Sequence, residues 1–521
     1  MRHKIYSILI GAGVLVAAGC DKNFEEINID PTKLTPETMN YSYLFTAAEL
    51  VTSGNSDANA YEDWRNNLIY GSTMIQHLSS TTGYWAGDKY TYNAGYNAAY
   101  WDANYTNSIK NIVDVVEQTR DNEANKNLHQ IARIFKAFMM QRMTDMYGDI
   151  PYSEAGLGYL TGVTHPKYDK QQAIYDDLLA ELKDAAEKLD ASALNSIGSA
   201  DLLYGGDVAK WKKFAYSLMV RVAMRLSKVD PDKAKTWVGT AVAGGVFTDI
   251  NDNALVAHED RPSSTTANGN AWILAGQDPN ASRVSKTLVD LLKGTNDPRL
   301  SSIATVATDP SNKADKGDNT PAVQQGQPNG YDLGTTATYI GNAPGYPGSV
   351  NKYSIVNRNT FARLDAPIIF LTHAETQLLL AEAAQRGWIP GSAATYYNAG
   401  VTAGILMMNQ VGASPALTTA QATTYLAANP YVAATGLQQI NTQYWITTFM
   451  DSYEAWANWR RSGFPALTPV NYFGNVTAGT IPRRFTYPLN EAAVNPDNYS
   501  AAVAGLGSGD KMTSRVWWDK P

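Results

Sequence analysis

The chain holds one cysteine, Cys20, so no disulfide can form within it and the thiol is free for another use. Its six histidines, at 3, 77, 129, 165, 258 and 373, lie far apart, and neither H-E-x-x-H nor a Cys/His cluster occurs. That excludes the usual zinc sites. A Walker A loop, a dinucleotide fingerprint and a G-x-S-x-G elbow are missing too, so no metal, cofactor or catalytic residue is predicted. Charge is sparse, at 17% of residues and a formal net of -7. With no basic stripe to meet phosphates, nucleic acid is a poor partner. Past Cys20 no apolar run approaches the length that spans a bilayer.

The one early apolar run, Ile5 to Ala18, follows Arg2 and Lys4 and ends in Ala17-Ala18-Gly19-Cys20. It is too short to cross a membrane and reads as a signal peptide over 1-19. Small residues before Cys20 suit a lipoprotein signal peptidase, which leaves that cysteine to carry acyl chains. Ala17 stands where such signals usually have Leu. More than one acyl chain gives stable anchoring, so the expectation is a protein tethered to a membrane but not crossing it. Residues 20-38, with Asp30-Pro31 and Thr35-Pro36, lack periodicity and read as the tether. The remainder, 39-521, has no low-complexity linker and reads as a single domain.

What the chain has is helical periodicity and aromatics. In 128-147, Leu128, Ile131, Ala132, Phe135, Phe138, Met139, Met143 and Met146 recur every three or four residues. That forms one apolar helical face, with Gln130, Arg133, Lys136 and Gln141 on the other side. Gly148 and Pro151 end it. The same periodicity predicts helices near Met39 to Val51 and over Ala60 to His77, Trp101 to Thr119, Gln171 to Leu189 and Val208 to Ser227. Further ones are predicted over Pro231 to Gly244, Pro367 to Arg386, Ser392 to Met408, Thr419 to Ala428 and Leu437 to Arg461. The fold class is therefore mainly α, with small β-hairpins at most. Helical pairs of this length suggest a tetratricopeptide-like superhelix, although no strict 34-residue consensus is visible.

Residues 78-100 and 258-360 depart from this, being rich in Gly, Asn, Pro, Thr and Tyr, and read as long loops of the functional kind. Asp309 to Asn319 offers carboxylates but not the order of a calcium loop, and reads as solvated. Tyr and Trp number 31 and 12; such rings can stack on a ligand and hydrogen-bond to it at the same time. Between Tyr84 and Tyr105 lie eight of these aromatics among Asn and Asp. Tyr96, Tyr100, Trp101 and Tyr105 have helical spacing and read as core, whereas Tyr84, Trp85, Tyr90 and Tyr92 sit in the loop and are candidate ligand contacts. An aromatic face can lie on the apolar face of a pyranose while amides and carboxylates bind its hydroxyls. A second group, Arg261, Asn268, Asn270 and Trp272, lies in the other loop with Gln277 and Arg283. On this reading Trp85→Ala weakens binding and leaves thermal stability nearly unchanged.

Several motifs occur in order along the chain. They are N-F-E-E-I-N-I-D-P at 23-31, Y-G-D-I-P-Y at 147-152, L-L-Y-G-G-D-V-A-K-W-K-K-F-A at 202-215 and N-D-P-R-L at 296-300. L-L-L-A-E-A-A-Q-R-G-W follows at 378-388, Y-E-A-W-A-N-W-R-R-S-G-F-P at 453-465, I-P-R-R-F-T-Y-P-L-N-E at 481-491 and V-W-W-D at 516-519. With Cys20 they make the chain resemble the SusD/RagB family of nutrient-binding outer-membrane lipoproteins. The motifs read as structural: Trp211, Phe214, Trp456 and Trp459 as core, and Arg460, Arg483 and Arg484 as partners of carboxylates or helix ends.

The resemblance implies a cell-surface lipoprotein that captures oligosaccharide and delivers it to a SusC-like TonB-dependent β-barrel transporter. It also implies a helical scaffold with ligand contacts drawn from an early and a mid-chain loop. Oligopeptide capture is an alternative within the family, and a structural or adhesive role without ligand is another. A surface glycoside hydrolase would need two carboxylates about 5 to 10 Å apart in a cleft, for which the sequence offers no motif.

Overall fold

The computed structural model describes residues 39-193, 197-261, 266-334 and 336-521. Cys20, the signal peptide and the tether lie outside the described residues. Residues 42-521 form one unit.

The helices that build it are α1 (Tyr41-Ser53), α2 (Ala60-Asp63), α3 (Ala94-Ala103), α4 (Lys110-Thr119), α5 (Lys126-Tyr147), α6 (Gln171-Lys188), α7 (Val208-Arg225) and α8 (Pro231-Gly244). After α9 (Gly269-Trp272) and α10 (Lys286-Gly294) come α11 (His373-Gln385), α12 (Ala393-Leu406), α13 (Thr419-Ala428), α14 (Gly436-Thr447) and α15 (Ser452-Ser462). Consecutive helices pack as antiparallel pairs, α4 with α5, α6 with α7 and α11 with α12, and α7 and α15 also lie against α5. This is the expected mainly α, tetratricopeptide-like scaffold. Strands are short and pair in twos: Leu78-Ser79 with Arg283-Val284, Ile150-Pro151 with Tyr168-Asp169, Ala254-Val256 with Ile368-Leu371, and Ala304-Thr305 with Ile355-Val356, all antiparallel.

Helix α5 is the centre. Phe135 and Phe138 meet Phe45, Phe214 and Phe370 at ring separations of 5.0 to 6.0 Å. Trp211 and Phe214 pack in the same cluster, 5.3 Å apart. The helix stops where Gly148 takes a positive φ of 88°, which a glycine adopts without steric cost. The polar side of α5 is less exposed than its periodicity suggests. Gln130 and Gln141 are buried, because α6 covers that face and Arg133 reaches Glu181 there with two hydrogen bonds of 2.8 and 2.9 Å.

Two helix boundaries also differ from the periodic reading. Residues 368-371 are strand, not helix: Ile368, Ile369, Phe370 and Leu371 after Pro367 fit an extended ladder. Helix α11 starts only once the Thr372 hydroxyl accepts from the Glu375 N–H at 3.0 Å. The span 437-461 is two helices, broken where Met450 takes a φ of 73°, and Asp451 caps the second. The region 258-360 is more ordered than a plain loop, since it carries α9, α10 and three strands. Its Asp309 to Asn319 stretch is organised by Arg358. That guanidinium donates to the carbonyls of Pro310, Asn312 (2.7 Å) and Asp315 (3.0 Å) and supplies the positive charge there.

The closing motifs are structural. Arg460 lies over the Trp456 and Trp518 rings (4.1 and 4.9 Å) and donates to the Arg483 carbonyl at 2.8 Å. Arg483 pairs with Asp519, and Arg484 with Asp510. Arg461 grips Glu382 with two 2.7 Å bonds. In α7, Arg221 reaches Glu375 at 2.6 Å and Arg225 reaches Glu454 at 2.5 Å, all buried. Removing one partner of such a pair strands the other charge, so these residues define the core and carry no ligand.

Candidate functional site

The helix after α1 gives the site its spine. α2 passes directly into a π-helical segment, Trp64-Ser72, and such segments recur at functional sites. Tyr61 and Trp64, three residues apart, project from one face, and their rings lie 5.8 Å apart. On one flank Tyr61 meets Trp272 of α9 edge to face at 5.4 Å. On the other, Trp64 meets Tyr84 edge to face at 6.0 Å. Four rings therefore form a continuous chain of contacts, a row in the order Trp272, Tyr61, Trp64, Tyr84. Tyr61 and Tyr84 remain 44% and 43% exposed, and Trp64 and Trp272 are half-buried. A contiguous, partly exposed aromatic surface of this kind marks a site of interaction.

Asp278 pins one end. Its Oδ2 accepts from the Tyr84 hydroxyl at 2.7 Å and from the Trp85 indole N–H at 2.9 Å. Burial, and then the Asp278 carboxylate, push the Tyr84 hydroxyl well above its ordinary pKa, so it stays a donor. Behind the row, the Asn67 side chain donates to Asn270 Oδ1 (3.2 Å) and to the Met450 carbonyl (3.0 Å), and accepts from the Ser452 N–H (2.9 Å). Asn268 caps α9 through the Ala271 N–H at 3.0 Å and donates to the Ala366 carbonyl at 2.9 Å. These bonds fix the α9 ring against the spine.

The expected contacts separate accordingly. Tyr84 and Trp272 stand in the row. Trp85 is fully buried, so it supports the loop and offers no face to a ligand. Its neighbour Gly87 explains why: an added Cβ would come within 2.4 Å of the Ile69 carbonyl and 2.5 Å of the Tyr70 Cα, so the turn lies flat on the spine. Tyr90 is buried too. Its hydroxyl accepts from the Val470 N–H at 3.2 Å, and its carbonyl from the Val476 N–H at 3.0 Å. Asn270 is buried in the joint described above. Tyr92 is exposed, 3.4 Å from the Thr486 hydroxyl. Arg261 is exposed and pairs with Glu259 at 2.9 Å, a link within its own loop and not to the row.

Sequence reading missed Tyr61 and Trp64, which sat inside a predicted helix, and Asp278. The only signal was an i, i+3 aromatic pair at a helix start, a pattern that serves cores equally well. Among the described residues no group of His, Cys, Asp and Glu could hold a metal ion, and no helix is long and apolar enough to cross a membrane.

A family model described as starch-binding and associating with the outer membrane, SusD-like, matches residues 35-488. The chain belongs to the SusD-like family. The family is one of outer-membrane surface proteins with a binding role. A chitin-binding protein of known structure is 35% identical, superposes with a TM-score of 0.81, and aligns 92% of this chain with 100% of its own. A Bacteroidetes SusD-like protein, AC2a, is 29% identical at a TM-score of 0.80 over 93% of this chain and 100% of that one. A chitin-binding SusD homologue from Flavobacterium johnsoniae, 24% identical at a TM-score of 0.76 over 92% and 99%, shares the fold. No curated protein sequence matches the chain.

Proposed function

We propose that this SusD-like protein is a surface lipoprotein, acylated at Cys20, that captures an N-acetylglucosamine oligosaccharide on the Trp272-Tyr61-Trp64-Tyr84 row. It then hands the ligand to a SusC-like TonB-dependent barrel. The row itself carries the reading. Partly exposed rings held against one another by edge-to-face contacts and buried hydrogen bonds are pre-organised for contact with pyranose faces, so little ordering entropy is lost on binding. The 35% identity to a chitin-binding protein supports the ligand class. Asp278 and backbone groups near the row would select among sugars, since stacking alone tolerates many.

Calorimetric titration of the acyl-free protein with chitohexaose tests this. Saturable binding that Tyr61→Ala and Tyr84→Ala each weaken by about tenfold, roughly 1.4 kcal/mol, is expected. Saturation by mixed peptides instead would move the protein to oligopeptide capture, and undiminished binding by both variants would remove the row from the site.

A further inference from the structure

We propose that the glycan does not end on the aromatic row but continues across Arg65 into the adjoining cleft between α1-α2 and α3-α4, so that the site holds a chain several sugars long. This rests on the glycan reading of the row. The cleft has a volume of about 720 Å³, within the range of pockets that bury a ligand of drug size. It shares the spine with the row: Glu62 and Arg65, which line it, alternate along the helix with Tyr61 and Trp64. Arg65 stands at the boundary, directly after Trp64 in the chain. Its guanidinium lies 5.7 Å over the Tyr96 ring and 3.4 Å from Glu62.

The far wall is chemically unspent. Asp102, Asn107, Lys110 and Asn111 line it. Among the described residues none of these side chains has a protein hydrogen bond or ion pair, although they follow one another along the continuous helical run from α3 into α4. The local backbone sets this register. Residues Asn104-Ile109 are π-helical, and the i→i+5 register of that segment brings Asp102 and Asn107 to one face. Lys110 and Asn111 continue that face at the start of α4. The floor between the walls is small, with Gly95, Ala99 and Ala103, so a flat ring can lie close to the backbone. Amide, carboxylate and ammonium groups over a small apolar floor suit hydroxyl and acetamido groups around an apolar ring face. A single anion would find no uniform charge there.

The test compares N,N′-diacetylchitobiose with chitohexaose by calorimetric titration. The wild-type protein is set beside Asn107→Trp, a variant carrying Asp102→Ala, Asn107→Ala and Asn111→Ala together, and Trp64→Ala. All the cleft changes fall on exposed or half-exposed positions, and thermal unfolding checks their folding. The hexamer is expected to bind the wild type at least about tenfold more tightly than the dimer. Both cleft variants should lose that advantage while binding the dimer unchanged, and Trp64→Ala should weaken both ligands. Equal affinity of the wild type for the two lengths, or a preserved advantage in both cleft variants, overturns the extension and leaves the row intact. If Trp64→Ala binds both ligands like wild type, or the wild type binds neither, the row fails and the extension with it.

Discussion

Asp278→Ala probes the joint between the two loops that form the site. One carboxylate oxygen holds both Tyr84, at 2.7 Å, and Trp85, at 2.9 Å. The two bonds differ in consequence. The Tyr84 hydroxyl is partly exposed and can turn to water, but the Trp85 indole N–H is buried and would be left without a partner, at a cost of about 1 to 3 kcal/mol. A stability loss of about 2 kcal/mol is therefore expected. With about 2.1 cal/mol/K of unfolding entropy per residue, a chain of this size shifts its melting temperature by only about 2 °C. The midpoint of urea unfolding is the better measure. Affinity should fall separately. An unpinned Tyr84 ring must be ordered on binding, which costs about 0.5 to 1.5 kcal/mol and amounts to about a two- to twelvefold loss for chitohexaose. In a variant that also carries Tyr84→Ala, the ring is gone and the two affinity losses should not add. Full additivity, or an Asp278→Ala protein with wild-type stability and affinity, refutes the argument.

Trp85→Ala should destabilise by about 3 to 5 kcal/mol, the cost of deleting a large buried ring, seen as a lowered urea midpoint; an unchanged midpoint would put Trp85 at the surface. Stability should also vary with pH in two directions. Burial pushes the Asp63 carboxyl up to about 7, reinforced by Asp451 and Glu62 and opposed by Tyr453 and Arg142. Burial likewise pushes Glu375 up to about 7, against the pull of Arg221. The unfolded values are about 4, so the contribution of these groups is whole below about pH 4 and is lost as the pH rises through 7. Asp63→Asn should flatten the fall of the urea midpoint over that window, and an unaltered slope would exclude Asp63 as its source. Burial alone would raise Glu382 and Glu454, but Arg461 beside the first and Arg225 beside the second hold them down to about 2. Their contribution is present above about pH 4 and is lost as the pH falls toward 2, which fractional unfolding in acid would report. Finally, Cys20→Ser should move the protein from the membrane fraction to the soluble fraction of cells that express it; continued membrane association would remove the acyl anchor.

The scaffold was legible because α5, α6 and α7 carry their large apolar residues at helical spacing, and a 3.6-residue period records that directly even where, as in α5, the polar side is covered as well. Residues 368-371 were not, because a short apolar run after a proline reads the same in a helix or a strand. Nor was the break at Met450, where no glycine or proline marks the turn. The site was legible by region only. Tyr84, Trp85 and Tyr90 share one aromatic loop, yet only the first is open. What closes over the other two comes from far along the chain, Asp278 on Trp85 and Val470 on Tyr90, and no local pattern carries that information. Tyr61 and Trp64 were hidden for the converse reason: their helix looked like any other core helix, and the ring that extends their row, Trp272, arrives from a separate loop.

The Tyr84-Asp278 bond joins residues 194 positions apart, and the Asn67-Asn270 bond spans 203. The row therefore cannot exist in any fragment that ends before α9, however well its first helices form. The consecutive helix pairs can assemble from near-neighbour contacts while the site waits for distant loops to close, the slower class of folding event. Ligand competence should thus appear after helical content in a refolding time course. A chain nicked between the spine and α9 would keep its helix pairs and still lose the row, and with it the proposed site.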